Sequence, residues 1–203
     1  MMAEEIVKKF GDHYVTDERT FKMGIDRRIT ARIAGRFRGR RVLETCTGGG
    51  FSTMALAREA RHVTTIEIDG NNQDLARQNV ARAGLLRKVE FILGDALDER
   101  LLLGIPGIDA AFLDPDWADA GPGHVYRFRN SNTRPPADRL LEAVFRITPN
   151  AALILPPLVP PAELRGLPDF EIQGIYLGGM HELYCIYFGD LARRSGGSRM
   201  DAE

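Results

Sequence analysis

Residues 41–50, RVLETCTGGG, decide the fold of this chain, because an apolar run ends there in three consecutive glycines. Residues 41–46 are predicted to form a short buried strand, and a helix is predicted to begin at about Ser52. Glycines at such a junction let the backbone turn sharply and approach a ligand or the next helix closely. A strand, a glycine turn and a helix in this order indicate the first repeat of an α/β sheet.

The same alternation continues on both sides of the glycine turn. Further strands are predicted at residues 62–68, 89–93, 108–113 and 151–155, and helices at residues 27–37, 71–83 and 137–147. Residues 170–189, FEIQGIYLGGMHELYCIYFG, predict two strands around Gly178-Gly179, which is a hairpin signal. The pattern predicts a Rossmann-like α/β fold: a mostly parallel seven-stranded sheet with helices on both faces and a C-terminal antiparallel hairpin.

Composition sets the broad class of the protein. The chain has 203 residues, of which 44% are hydrophobic and 27% are charged, as in an ordinary globular domain. No apolar window is long enough for a membrane span, and the charged N-terminus lacks the apolar core of a secretory signal. Cys46 and Cys185 are predicted inside strands, which favours a reducing cytoplasm, and no residues have the spacing of a metal site.

An acid stands directly before the glycine turn. Glu44 would repel a pyrophosphate but suits the cationic amino-acid part of S-adenosylmethionine. Thr53 stands where a dinucleotide-binding fingerprint would have its third glycine. We therefore expect Glu44, Thr45, Gly48 and Gly50 to contact S-adenosylmethionine rather than a nicotinamide dinucleotide.

Three more acids follow the next two predicted strands. Glu67 and Asp69 end the second strand, where a carboxylate can accept hydrogen bonds from ribose hydroxyls. Glu67 is the preferred ribose ligand, because Asp69 can equally be the N-cap of the next helix. Asp95 ends the third strand, where it can accept the adenine amino group or cap a helix. Acids at successive strand ends beside one glycine turn predict a site for the methyl donor.

Asp114, Pro115, Asp116 and Trp117 follow the fourth predicted strand. This order resembles the Asp/Asn/Ser-Pro-Pro-Tyr/Trp motif of methyltransferases that act on exocyclic amino groups of bases. Such an amine is a poor nucleophile, and acceptors beside its N–H bonds favour a pyramidal nitrogen that can attack a methyl group. We expect Asp114 and Pro115 to orient the amine and Trp117 to stack on the base. The alternative is a plain turn with Trp117 anchored in the core.

Taken together, the motifs resemble the trimethylguanosine synthase family, the guanine-N2 methyltransferases of RNA caps. The resemblance covers most of the chain and rests on VLETCTGGGFST, Ile66-Glu67-Ile68-Asp69, LARQNVARAGL, VEFILGDAL, Asp114-Pro115-Asp116-Trp117, ITPNAALILP and YFGDLARR. The N-terminal FKMGIDRRITARIA is similar to the stretch that this family places over the active site. Two departures are Glu44, where the family has Asp, and Asp116, where it has the second proline.

The resemblance implies a class I S-adenosylmethionine-dependent methyltransferase with an exocyclic amino group, guanine-N2-like, in RNA as acceptor. Glu44, Gly48, Gly50, Glu67 and Asp95 would hold the donor, and the motif that begins at Asp114 would handle the acceptor. It also implies an N-terminal helical segment covering the site at residues 1–38 and a methyltransferase domain at residues 39–194. The short polar stretch after Arg194 predicts a disordered tail at residues 195–203.

Other functions fit parts of the pattern. A small molecule can replace RNA as the acceptor, and a noncatalytic module that binds the donor or RNA is a third possibility. A nicotinamide dehydrogenase fits least. Residues 27–41 hold seven arginines and no acid, which suits a phosphate backbone but also a solvated helix face. The net charge of −1 argues against a broad nucleic-acid surface.

Overall fold

The computed structural model describes residues 3–117 and 125–203. The chain forms two compact units, Met1–Asp95 and Ala96–Glu203. The first unit contains α1 (Ala3–Phe10), α2 (Glu18–Met23), α3 (Arg27–Ala34), β1 (Arg41–Thr45), α4 (Phe51–Glu59), β2 (His62–Glu67), α5 (Gly70–Arg82) and β3 (Val89–Leu93). The second contains α6 (Glu99–Leu103), β4 (Ala110–Leu113), α7 (Ala137–Phe145), β5 (Ala151–Leu155), β6 (Phe170–Leu177), β7 (Met180–Phe188) and β8 (Gly196–Asp201).

In the first unit, β3, β2 and β1 lie side by side in that order and run parallel. Thr45 is paired with Ile66, and Glu67 with Leu93, so the carboxyl ends of the three strands meet at one edge. This placement follows from the strand–helix–strand order, because each helix carries the chain back to the start of the next parallel strand. The predicted donor residues therefore belong to one edge of one unit.

The apolar face of α3 forms part of the core of the first unit. Ile29, Ile33 and Phe37 are four residues apart and are at most 2% exposed. Burying side chains of this size contributes roughly 1.5–3 kcal/mol each. Asp26 caps the helix by accepting a hydrogen bond from the Arg28 backbone N–H at 2.9 Å. The predicted helix at residues 27–37 is thus an α-helix whose last residues form a 3-10 turn.

In the second unit the strand order is β4, β5, β7, β6, β8. β4 and β5 are parallel and fully buried, whereas β7 runs antiparallel to both β5 and β6. The β6–β7 connection is Gly178-Gly179, where both glycines have positive φ values, 57° and 81°, as a tight hairpin turn requires. The predicted C-terminal hairpin is confirmed.

The C-terminal tail was expected to be disordered from residue 195 onward, and this expectation is wrong. β8 pairs parallel with β6, which raises the number of strands among the described residues to eight instead of seven. The buried Glu171 carboxylate accepts hydrogen bonds from the Arg193 backbone N–H and the Ser198 hydroxyl, both at 2.8 Å. Backbone pairing and one buried acid hold this strand, so it does not need an apolar face. Its polar sequence therefore lacks the apolar alternation that predicts a strand.

The expected boundary at residues 38 and 39 also differs from the structure. The N-terminal helices belong to the same compact unit as the first three strands, and the division falls after Asp95. Within the described ranges, no helix has the length and apolar character needed to cross a membrane. The same ranges hold no group of three or more His, Cys, Asp or Glu side chains placed to bind a metal ion.

Replacing Glu171 with alanine should loosen the C-terminal strand, because the Arg193 amide and the Ser198 hydroxyl would lose their acceptor. The free energy of unfolding should fall by about 1–3 kcal/mol in urea titrations. Amide hydrogen exchange should accelerate across residues 196–201. The control, Glu182→Ala in β7, should change the unfolding free energy by less than about 0.5 kcal/mol. Unchanged exchange in Glu171→Ala would show that another contact holds the strand.

Candidate functional site

The glycine turn after β1 has a conformation that only certain residues adopt readily. Cys46, Gly48 and Gly50 have φ values of 63°, 53° and 79°, in the left-handed region. Cys46 was predicted at the end of the strand, and it lies instead at the start of the turn. A Cβ atom on Gly50 would lie 3.0 Å from the Ala76 Cα and Cβ atoms of α5. Glycine is therefore required at position 50 for two reasons: the backbone has a positive φ value, and the turn packs closely on α5.

Glu67 lies against this turn, as the sequence predicted. Its side chain is 6% exposed. Its Oε2 atom accepts the Gly48 backbone N–H at 2.8 Å, and its Oε1 atom accepts the Asp69 backbone N–H at 3.0 Å. One carboxylate therefore joins the glycine turn to Asp69, the N-cap residue of α5.

Glu44 is almost completely buried, with 1% of its surface exposed. Burial raises the pKa of its carboxyl group to about 7, and the negative charge of Glu67 acts in the same direction. Hydrogen bonds from the Thr53 and Thr65 hydroxyls oppose this shift, and the Thr53 Oγ1 atom lies 2.6 Å from Glu44 Oε2. Near neutral pH this carboxyl group therefore lies close to the midpoint of its titration, where a nearby cation would favour the ionised form.

Threonine hydroxyls around Glu44 are the part of the site that sequence reasoning missed. The Thr47 and Thr65 Oγ1 atoms lie 2.5 Å apart, and both side chains are buried. From the sequence, Thr53 indicated only a departure from the dinucleotide-binding fingerprint, and its contact with Glu44 was not predicted. The available signal was the presence of threonines in a strand and a helix that are otherwise apolar, since buried hydroxyls need partners.

The other residues predicted to bind the methyl donor lie at different positions in the first unit. Thr45 is fully buried, and within the described ranges its hydroxyl has no hydrogen-bond partner. Asp69 accepts the Asn71 and Asn72 backbone N–H groups at 2.8 and 3.2 Å, so it is the N-cap of α5, one of its two predicted roles. Asp95 is exposed just beyond β3.

The Asp114–Trp117 motif lies in the second unit, directly after β4. Asp116 forms an isolated antiparallel bridge with Arg134, with N···O distances of 2.8 Å in both directions. A proline at position 116 would lack the N–H group that donates one of these bonds. The departure from the Pro-Pro pattern is therefore explained by backbone pairing. Residues 118–124, which follow the motif, lie outside the described residues.

Trp117 is held by a neighbouring tyrosine. The Tyr126 hydroxyl donates to the Trp117 carbonyl oxygen at 3.0 Å. Burial, and then the charge of Asp116, raise the pKa of Tyr126, so its hydroxyl keeps its proton for this bond. The Trp117 indole nitrogen is buried and has no hydrogen-bond partner among the described residues. Pro115 is buried, and Asp114 and Trp117 are half-buried. This burial fits the alternative of a turn with Trp117 anchored in the core as well as the predicted acceptor motif.

Comparison with known proteins identifies the family. The model of the RNA cap guanine-N2 methyltransferases matches residues 39–169, which include both the glycine turn and the Asp114–Trp117 motif. The chain belongs to the RNA cap guanine-N2 methyltransferase family. A catechol O-methyltransferase of Mycobacterium tuberculosis is 42% identical over 87 residues, which are 41% of this chain and 40% of that protein.

Solved structures share the fold of this family member. A Porphyromonas gingivalis W83 protein assigned as a methyltransferase has a TM-score of 0.76 at 17% identity, over 92% of this chain and 47% of that one. The O-methyltransferase TomG of Streptomyces achromogenes, in complex with S-adenosylmethionine, has a TM-score of 0.60 at 20% identity, over 86% and 91%. The match covers under half of the Mycobacterium and Porphyromonas proteins. The predicted Rossmann-like methyltransferase fold is confirmed.

The raised pKa of Glu44 predicts a pH-dependent stability. The folded protein favours the protonated carboxyl group, so this stabilisation is complete below the usual pKa of 4.5 and is lost as the pH rises through about 7. Between pH 5 and pH 8 the wild type should lose about 2–3 kcal/mol of unfolding free energy relative to Glu44→Gln, which cannot ionise. Urea unfolding of both proteins at the two pH values measures the difference. If the unfolding free energies of the wild type and Glu44→Gln differ by the same amount at pH 5 and pH 8, the raised pKa of Glu44 is contradicted.

Proposed function

We propose that this protein transfers the methyl group of S-adenosylmethionine to an exocyclic amino group of a nucleobase in RNA, guanine-N2-like. The observation that carries the proposal is the match to the RNA cap guanine-N2 methyltransferases over residues 39–169. That range includes a carboxylate-rich glycine turn and an Asp-Pro-Asp-Trp motif, which are the two parts that this reaction needs.

In this proposal the first unit binds the donor. Glu67 accepts the ribose hydroxyls, because its carboxylate lies at the glycine turn and is fixed by two backbone N–H groups. Glu44, with Thr45, Gly48 and Gly50, forms the surroundings of the cationic amino-acid part of the donor. Asp69 fixes the first turn of α5 beside Glu67, and the exposed Asp95 accepts the adenine amino group.

The second unit supplies the acceptor groups. The Asp114 carboxylate and the Pro115 carbonyl oxygen accept hydrogen bonds from the two N–H groups of the amine. The lone pair of the nitrogen then points away from the ring. The nitrogen–methyl bond forms as the sulfur–methyl bond breaks, and the sulfur keeps the bonding electron pair. The nitrogen then loses a proton, for which Asp114 is the acceptor. Trp117 stacks on the base.

A small-molecule acceptor is the second candidate, and one observation favours it. The segment of 87 residues that is 42% identical to a catechol O-methyltransferase is the strongest sequence likeness to a single named enzyme described above. It covers only 40% of that protein, so it supports a small-molecule acceptor less fully than the family match over residues 39–169 supports RNA.

Methyl transfer from radiolabelled S-adenosylmethionine to total RNA, DNA, protein and catechol tests the proposal. We expect label in RNA, and we expect binding to RNA to weaken steeply with salt because phosphate contacts release counterions. Glu67→Gln is the control, and it should lose both labelling and binding of S-adenosylhomocysteine. Label in catechol alone would favour the second candidate, and label in no fraction would contradict a methyltransferase.

Trp117→Ala should separate acceptor binding from donor binding. Loss of base stacking, about 1–3 kcal/mol, predicts a fall in kcat/KM of roughly 10- to 100-fold toward RNA. The Kd for S-adenosylhomocysteine should stay within about twofold of the wild type. Trp117→Phe keeps a stacking ring and should recover part of the activity. Weakened donor binding in Trp117→Ala would show that this residue does not belong to the acceptor side.

A further inference from the structure

Asn79, on α5, makes a set of contacts that the proposed chemistry does not use. Its side chain is fully buried. The Oδ1 atom accepts the Val15 backbone N–H at 2.7 Å, and the Nδ2 atom donates to the Val15 carbonyl oxygen at 2.8 Å and to the Gly49 carbonyl oxygen at 2.9 Å. An amide is suited to this position, because it offers one acceptor and two donors.

These three hydrogen bonds join distant parts of the first unit. Val15 lies in the connection between α1 and α2, and Gly49 is the middle glycine of the turn after β1. Gly49 lies between Gly48, whose N–H is bound by Glu67, and Gly50, which packs on Ala76 of α5. One buried side chain therefore fixes both the N-terminal segment and the carbonyl group at the centre of the glycine turn.

A second contact joins the same two parts. The rings of Phe10 and Phe51 are stacked, with centroids 3.5 Å apart and planes 2° apart. Phe10 ends α1, and Phe51 is the first residue of α4, directly after the glycine turn. A Cβ atom on Gly24 would lie 2.7 Å from the Phe51 ring and 2.8 Å from the Phe10 ring, so the pair is closely covered. The N-terminal segment is thus attached to the turn on both sides of residues 11–14.

We propose that Asn79 is a positioning residue for the methyl donor: it docks residues 11–16 against the glycine turn and so fixes the turn in the geometry that the donor requires. The inference rests on the proposed donor site. The donor touches the turn, the turn is bound to Asn79, and Asn79 is bound to Val15. Binding of the donor and docking of the N-terminal segment therefore strengthen each other, since coupling between two sites is reciprocal.

Loss of the amide would affect the turn directly. The Gly49 carbonyl oxygen would lose the N–H group that binds it, and the N–H and carbonyl groups of Val15 would both lose their hydrogen-bond partners. A turn with several left-handed residues has other accessible conformations once these bonds are gone. Part of the binding free energy of S-adenosylmethionine would then be used to restore the bound conformation of the turn. Its affinity would fall although the groups that contact it are unchanged.

Calorimetric titration with S-adenosylhomocysteine tests the proposal on the full chain. Asn79→Ala should raise the Kd by about tenfold or more. Asn79→Asp keeps the acceptor for the Val15 N–H but loses both donated bonds, so it should not restore affinity. Gln78→Ala, an exposed neighbour on the same helix, is the matched control and should bind as the wild type does.

Amide hydrogen exchange of the wild type provides a second readout that does not depend on variant folding. S-adenosylhomocysteine should slow amide exchange at the glycine turn. It should also slow exchange at Val15, which the proposal places outside the ligand's contacts. A purely structural role would lower the stability of Asn79→Ala but leave the Kd of the folded protein unchanged.

The outcomes also separate this inference from the proposed function. If the wild type binds S-adenosylhomocysteine, then an unchanged Kd in Asn79→Ala overturns the positioning role. Should that variant fail to fold, unchanged exchange at Val15 on addition of the ligand overturns it equally. Absence of binding by the wild type would instead contradict the donor site itself, and with it the role of Asn79.

Discussion

The carboxylate of Glu67 is the contact that joins the glycine turn to the start of the next helix, and the proposed donor site depends on it. It accepts one backbone N–H from the glycine turn and another from Asp69, which in turn caps α5. The parallel pairing of β1 with β2 brings these segments to one edge, but pairing alone does not fix the conformation of the turn. Glu67 does part of this, because its two oxygen atoms accept hydrogen bonds from the turn and from the N-cap of α5, while Asn79 donates to the Gly49 carbonyl oxygen.

This arrangement gives the site an electrostatic character. Glu44 and Glu67 lie near the carboxyl ends of neighbouring strands and are both buried. The charge of Glu67 contributes to the raised pKa of Glu44. Two buried acids at one strand edge are an unfavourable combination unless a cation or hydroxyl groups offset it. The hydroxyls of Thr53 and Thr65 provide part of that compensation. A positively charged ligand would provide the rest, which agrees with the proposed donor.

Several features of the fold and the site could be predicted from the sequence because they follow from local pattern. Apolar runs bounded by glycine located the strands, and the position of Glu67 at a strand end placed it at the turn. The β8 strand could not be predicted, since its pairing depends on backbone groups and on the buried Glu171 rather than on side-chain alternation. Asn79 was equally hidden, because its partners Val15 and Gly49 are 64 and 30 residues away in the chain.

The motif after β4 departs from the family pattern at Asp116, where backbone pairing takes the place of a proline. A second proline at position 116 would fix the backbone covalently, whereas Asp116 reaches an extended conformation by pairing with Arg134. The Tyr126 hydroxyl then holds the carbonyl group of Trp117. Both contacts act on the backbone, so they leave the carboxylate of Asp114 and the ring of Trp117 to other partners. The substitution therefore replaces one source of backbone rigidity with another.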